Sequence, residues 1–218
     1  MELKGKKINF LGDSITQGYG TSSIEKTFWN VLKVNAELAE ARGYGIGGTR
    51  FAEQRNKREP IDSLDFCARY NEMDDDADAV VVFGGTNDYG HGDAPIGCES
   101  DRTSATFWGA CHCLMQGLIE KYPAAVIVIM TPLHRLYEEN PHPDDRKQDI
   151  SAPLCEYVDI IKKVAEFYSL PVLDLWAMSG IQPKVDIIRE KYCPDGLHPN
   201  DAGHIIIANR LDGFLKTL

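Results

Sequence analysis

No run in these 218 residues approaches the ~20 consecutive apolar residues that a bilayer-spanning helix needs, so no such helix is expected among them. No export leader is expected either. Met1 to Lys7 leads into an apolar stretch, Ile8 to Leu11, that is too short for a leader core, and no small-residue cleavage site follows it. A cytoplasmic location is the expectation. Positive charge is in deficit: 23 Lys and Arg stand against 33 Asp and Glu, and the formal charge of −10 repels phosphate backbones and anionic bilayers. Neither nucleic acid nor a membrane is expected as a partner, which leaves small molecules. Internal repeats and low-complexity tracts are absent, and 43% hydrophobic with 26% charged residues rules out disorder as the main state. The length fits a single domain over residues 1–218.

Metal-ligand spacing is also lacking. The six cysteines, at 67, 98, 111, 113, 155 and 193, are expected to be free thiols in a reducing compartment. Cys111-His112-Cys113 falls inside an apolar, helix-like segment, and no second Cys/His pair follows at zinc spacing. Asp74-Asp75-Asp76 lacks the regular spacing of a calcium loop and reads as a solvated turn at the amino edge of the sheet. Neither metal nor cofactor is expected.

What is present is an alternation of strand-like and helix-like segments. Apolar runs of strand length occur at Lys7 to Leu11, Tyr44 to Ile46, Ala79 to Phe83, Val126 to Met130 and Val172 to Leu175. Helical apolar spacing occupies Phe28 to Ala39, Ile61 to Tyr70, Ala105 to Lys121, Leu154 to Tyr168 and Ala202 to Leu215, with a short helix expected around Lys184 to Lys191. Such alternation predicts an α/β fold: a three-layer α/β/α sandwich on a flavodoxin-like, five-stranded parallel sheet. Two insertions, 89–102 and 133–150, are rich in Pro, Gly, Asp and His and read as functional surface loops.

Ligands bind outside the carboxyl ends of parallel strands, so the residues just after each strand matter most. The first strand is followed by Gly12-Asp13-Ser14-Ile15-Thr16, the second by Gly47-Gly48-Thr49-Arg50 and the third by Gly84-Gly85-Thr86-Asn87-Asp88. Just before the last helix stands Pro194-Asp195-Gly196-Leu197-His198-Pro199, and a helix packed antiparallel to the strands begins at that same edge. A serine, a histidine and an aspartate can therefore meet. A serine hydroxyl needs a base to take its proton, neutral imidazole is the usual one, and a carboxylate fixes its tautomer.

Four segments carry a specific resemblance. Phe10-Leu11-Gly12-Asp13-Ser14-Ile15-Thr16, Tyr44-Gly45-Ile46-Gly47-Gly48-Thr49, Gly85-Thr86-Asn87-Asp88 and Asp195-Gly196-Leu197-His198-Pro199 resemble, in order, the first, second, third and fifth blocks of the SGNH hydrolases, also called GDSL-type esterases and lipases. The resemblance implies that fold, with Ser14 as nucleophile, His198 as general base and Asp195 as its orienting partner. It also implies an oxyanion hole from the Ser14 and Gly48 backbone N–H groups and the Asn87 carboxamide. Two positions depart from the family pattern: Gly43 stands where Asn is frequent, and Gly47 replaces a Ser. Both are read as changing loop stiffness more than chemistry.

Taken one by one, these residues also admit plainer roles. Ser14 stands where a helix N-cap would, and Asn87 where a turn residue would. Asp13 is expected to hold its loop by hydrogen bonds. Gly48 suits a positive φ as well as close backbone approach to a substrate. Tyr89, His134 and Arg135 are candidate substrate contacts, with His91, Asp93 and Tyr137 on the same loops. His112, His142 and His204 are expected to be structural.

The resemblance implies a serine esterase acting on a small-molecule ester through an acyl-enzyme. Polar loops favour a hydroxylated substrate such as a sugar. Since every apolar stretch is already assigned to the core, a short acyl group, acetyl above all, is expected. Thioesterase or lysophospholipase activity is the alternative within the family. A non-catalytic flavodoxin-like binding module is the alternative outside it, although the first loop lacks Gly-x-Gly-x-x-Gly.

Overall fold

Alternation of side chains along the strands organises the molecule, which the computed structural model describes for residues 1–139 and 152–218. His142 and residues 140–150 of the second insertion lie outside the described residues. Strands β1 (Lys7–Gly12), β2 (Glu40–Gly45), β3 (Ala79–Phe83), β4 (Val126–Met130) and β5 (Val172–Leu173) pair in parallel in the order β2-β1-β3-β4-β5. Ile8, Phe10, Val81, Phe83 and Val128 pack on one side, against Phe28 and Leu32 of α2 (Phe28–Asn35) and Ile207 and Leu211 of α9 (Asp201–Leu215). Leu11, Val80, Val82 and Ile129 pack on the other, against Leu114 and Leu118 of α5 (Phe107–Lys121) and Ile161 and Val164 of α6 (Leu154–Phe167). The period of two thus produces two apolar cores and the expected three layers. Each such buried side chain contributes roughly 1.5–3 kcal/mol of transfer free energy.

Several elements differ from expectation. β2 begins at Glu40, well before Tyr44, because its sequence Glu-Ala-Arg-Gly-Tyr-Gly has no apolar run and pairing with β1 alone defines this edge strand. Gly43 is a strand residue, not a loop residue: a Cβ there would come within 2.6 Å of the Trp29 ring, so its bareness makes room for the indole. The helix expected over Ile61 to Tyr70 is broken into α3 (Phe66–Arg69) between 3-10 turns at Pro60–Ser63 and Tyr70–Glu72. Asp65 restarts the chain there by accepting the Ala68 N–H at 2.9 Å. β5 is cut short because Asp174 caps the turn α7 (Leu175–Met178). The short helix near residue 184 is α8 (Asp186–Tyr192).

The acidic run is more than a solvated turn. Asp76 binds Lys7 and Arg42, each at 2.7 Å, Asp75 binds Lys121 at 2.6 Å, and Asp74 accepts the Tyr44 hydroxyl at 2.9 Å. These carboxylates tie the β1–β2 edge to α5 through pairs that solvent screens. All six cysteines are free. Among the described residues, no group of three or more His, Cys, Asp or Glu is placed to hold a metal, and no helix is long and apolar enough to cross a membrane.

Candidate active site

Gly12 ends β1, and a Cβ there would collide with Thr16 Oγ1, so only glycine admits the tight turn that follows. Asp13 then caps the single-turn helix α1 (Ser14–Gln17), its Oδ1 accepting the Ile15 N–H at 3.0 Å. The cap is thus Asp13 rather than Ser14. That leaves the serine side chain at the head of the turn, with Oγ 3.0 Å from His198 Nε2.

His198 is delivered from the other direction, by the loop that precedes α9. Asp195 Oδ1 accepts the backbone N–H of Leu197 at 2.8 Å and of His198 at 2.7 Å, while its Oδ2 lies 2.7 Å from His198 Nδ1. One carboxylate shapes the loop and orients the ring. A carboxylate at Nδ1 places the ring proton there and leaves Nε2 as an acceptor for the serine O–H. Burial pushes the Asp195 carboxyl up, but the hydrogen bonds from His198 and Leu197 outweigh it and hold it below the usual carboxylate range.

The turns that follow β2 and β3 bring Gly48 and Asn87 to the same edge of the sheet as Ser14. Gly48 has left-handed backbone (φ 77°), and a Cβ at that position would meet open space. Asn87 lies in the short helix α4 (Thr86–Gly90), entered through Gly85 at φ 101°. Its Nδ2 donates one hydrogen to the Thr49 carbonyl at 3.1 Å, which fixes the carboxamide and leaves a second N–H. The Ser14 and Gly48 backbone N–H groups donate to no group among the described residues.

Buried side chains brace this region. Arg69 is 5% exposed; its guanidinium donates to the Gly12 carbonyl (2.6 Å), the Tyr44 carbonyl (2.6 Å), Thr49 Oγ1 (3.0 Å) and the Leu64 carbonyl (3.1 Å). It therefore clips the ends of β1 and β2 to the turn that carries Gly48. Burial lowers its pKa to about 10, so it remains a cation at neutral pH. Asp88 accepts the Phe51 and Ala52 N–H groups at 2.9 and 3.0 Å, locking α4 to the segment after Gly48. Arg50 and Asp62 form a buried pair at 2.7 Å on that same segment. Asp13 is buried too. Desolvation raises its pKa to about 7 against the pull of the Ile15 N–H and Arg69, and its Oδ2 has no hydrogen-bond partner among the described residues.

The expected substrate contacts fare differently. Tyr89 is fully buried, because α4 turns it inward against Tyr157 (ring centroids 6.1 Å apart), and it is not a surface contact. Arg135 directs Nη1 at the Thr86 carbonyl and hydroxyl, both at 3.3 Å, and its guanidinium lies 5.4 Å from the Tyr89 ring, so it braces α4. His134 Nδ1 sits 3.0 and 3.1 Å from the Glu138 oxygens and its ring 3.7 Å from that of Trp176, contacts separate from the Ser14–His198 pair. Asp93 is a loop-builder, accepting the Arg55 and Asn56 N–H groups at 2.8 Å, and the His91 carbonyl accepts from Arg50. Tyr137 is exposed. His112 is buried in α5 beside the Tyr168 hydroxyl, and His204 is buried in α9 with Nδ1 accepting the Phe28 N–H at 3.0 Å.

Sequence reasoning passed over Tyr19. Its ring lies 4.4 Å from the His198 ring, yet the residue is 64% exposed. An aromatic set between two glycines, in Gly18-Tyr19-Gly20 just after the serine turn, was the available signal.

Comparisons with known proteins bear on the same segments. The model of the GDSL-like Lipase/Acylhydrolase family matches residues 10–206. A GDSL lipase of Mycobacterium tuberculosis is 27% identical over 227 residues, covering 97% of this chain and 82% of that protein. A crystal structure of a Lactobacillus plantarum protein superimposes with a TM-score of 0.84 at 28% identity, covering 99% of this chain and 98% of its own. Another crystal structure gives 0.85 at 30% identity, covering 100% and 99%.

Proposed function

The chain belongs to the GDSL-like lipase/acylhydrolase family, whose activity is of the esterase and lipase type, and from that premise we propose a serine esterase that removes short acyl groups, acetyl above all, from a carbohydrate or other small hydroxylated alcohol. The observation that carries this reading is the unbroken line from Ser14 Oγ through His198 to Asp195, with links of 3.0 and 2.7 Å. A non-catalytic binding module would have no use for it.

In the proposed reaction, His198 Nε2 takes the Ser14 proton as Oγ attacks the ester carbonyl, and Asp195 steadies the imidazolium. The negative charge that develops on the carbonyl oxygen is met by the N–H groups of Ser14, Gly48 and Asn87. Collapse breaks the bond to the alcohol, which leaves with the proton from His198. Water, deprotonated by the same ring, then attacks the acyl-serine and releases the carboxylic acid, restoring Ser14.

The short acyl group rests on the apolar stretches of the chain, which among the described residues are taken up by the two cores. Each further buried methylene is worth ~0.8 kcal/mol, so a real acyl tunnel would make kcat/KM climb with chain length. We expect kcat/KM for p-nitrophenyl esters to be highest at C2 and to fall steeply beyond about C4 across a C2 to C12 series. A fluorophosphonate should label the wild type and not Ser14→Ala. A maximum at C8 or above would sink the short-chain reading in favour of a lipase or thioesterase, and unchanged turnover by Ser14→Ala would remove the serine mechanism itself.

A further inference from the structure

We propose that Tyr19 forms the wall of the leaving-group subsite and selects alcohols that present a ring face. The inference rests on the esterase reading above and extends it to the part of the substrate which that reading leaves open.

Tyr19 is held in place by its backbone. Its N–H donates to the Ser14 carbonyl at 2.9 Å, so it is hung from the nucleophile's own turn. Gly18 and Gly20 on either side have φ of 99° and 94°. A Cβ on Gly20 would stand 2.5 Å from the Pro199 carbonyl oxygen, so glycine is needed for the loop to lie against the residue after His198. Two residues on, Ser22 donates its N–H and hydroxyl to the Asp201 carboxylate at 2.8 and 2.6 Å. The segment from Gly18 to Ser22 thus clasps the base-bearing loop and holds the tyrosine ring against the imidazole, tilted 57° to it.

A merely structural tyrosine would bury its ring, whereas this one is 64% exposed. What it faces follows from the chemistry. The imidazolium must return its proton to the departing alkoxide, so the alcohol oxygen lies on the imidazole side of the tetrahedral centre, away from the oxyanion donors. A side chain that flanks the imidazole and opens to solvent therefore meets the alcohol and not the acyl chain. A flat ring with a phenol at its tip offers a stacking face to C–H groups or an aryl ring and a hydrogen-bonding group to a hydroxyl. Its counterpart is a ring-bearing, hydroxylated alcohol.

The test holds the acyl group constant. Methyl acetate, phenyl acetate and a mono-acetylated methyl pyranoside all pass through the same acetyl-enzyme, and kcat/KM reports the acylation step, in which the alcohol is still present. Tyr19→Ala should lower kcat/KM roughly tenfold for the two ring alcohols and by less than about threefold for methyl acetate. Tyr19→Phe should recover most of the loss on phenyl acetate and less of it on the pyranoside. An equal loss on all three acetates would make Tyr19 a support for His198 alone and overturn the proposal. If wild type cleaves all three acetates through a fluorophosphonate-sensitive Ser14 and Tyr19→Ala is flat across the alcohols, only this inference falls. If wild type cleaves none and Ser14 is not labelled, the esterase reading falls and takes this inference with it.

Discussion

On the proposed oxyanion side of the site, the donor-bearing turns hang from backbone pinned by buried side chains: Arg69 beneath Gly12 and Thr49, Asp88 between α4 and Phe51, Asp62 against Arg50. On the base side, His198 hangs from a surface loop in which Asp195, 48% exposed, both accepts the loop's own N–H groups and orients the ring. Rigidity is concentrated where charge would develop, since donors that need not reorganise stabilise an oxyanion most. The base needs something else. In the proposed reaction it handles a proton twice and must admit a water in the second half, which suits an open loop steadied at its edge by Tyr19.

The largest effect that would break this comparison is on the oxyanion side. Asn87→Ala should lower kcat by roughly 10²-fold or more with a smaller change in KM, because the carboxamide acts on charge that is absent from the ground state. Steady-state kinetics on p-nitrophenyl acetate measure this directly. A loss confined to KM would make Asn87 a ground-state binder and remove the reason for so much bracing.

Next in size is the brace. Arg69→Met strips donors from carbonyls at the ends of β1 and β2 and should cost about 3 kcal/mol of stability, given that each buried acceptor left unpaired costs ~1–3 kcal/mol. Misaligned donors should also lower kcat by roughly tenfold. Arg69→Lys keeps the charge but not the fork, so it should recover little of either. Urea midpoints and kcat on the same preparations provide the check. A destabilised Arg69→Met enzyme with wild-type kcat would mean that the clip holds the fold without aligning the donors.

The two sides also differed in how far the sequence disclosed them. Ser14, Asp195 and His198 were legible because reactive residue types stood directly after a strand or before a helix, where an α/β topology must bring them to one edge. Arg69 and Asp88 were not, because their partners are mostly backbone groups far along the chain, such as the Gly12 carbonyl 57 residues from Arg69 and the Phe51 N–H 37 residues from Asp88. Backbone carbonyls carry no residue-type signal. Tyr89 misled for a related reason: a loop-like composition does not reveal that Thr86–Gly90 closes a helical turn and rotates the ring into the core. Edge strand β2 escaped because half-exposed strands need no apolar run.

The smallest effect is also the most discriminating, because one buried titratable group lies behind each half. Burial pushes Asp13, on the oxyanion side, up to about 7, with the Ile15 N–H and Arg69 opposing and Asp88 adding to the rise. Burial holds His204, behind the base loop, down to about 4, with Asp201 opposing and His198 adding to the fall. The signs are opposite. Between pH ~4 and ~7 the folded state keeps a proton on Asp13 that the unfolded chain has released, so this group's contribution to stability declines as pH rises through that window. Between pH ~4 and ~6.5 the unfolded chain binds a proton on His204 that the folded state refuses, so this group's contribution grows as pH rises. In the wild type the two slopes largely cancel up to about pH 6.5. Asp13→Asn should uncover the His204 slope, adding up to ~1.4 kcal/mol of stability per pH unit between 4.5 and 6.5 relative to wild type. His204→Asn, which preserves an acceptor for the Phe28 N–H, should tilt the curve by a similar amount the other way. Urea unfolding at pH 4.5, 5.5, 6.5 and 7.5 resolves both slopes. If all three proteins gave parallel curves, neither group would be buried in the protonation state assigned to it, and the contrast between the two sides would lose its electrostatic basis.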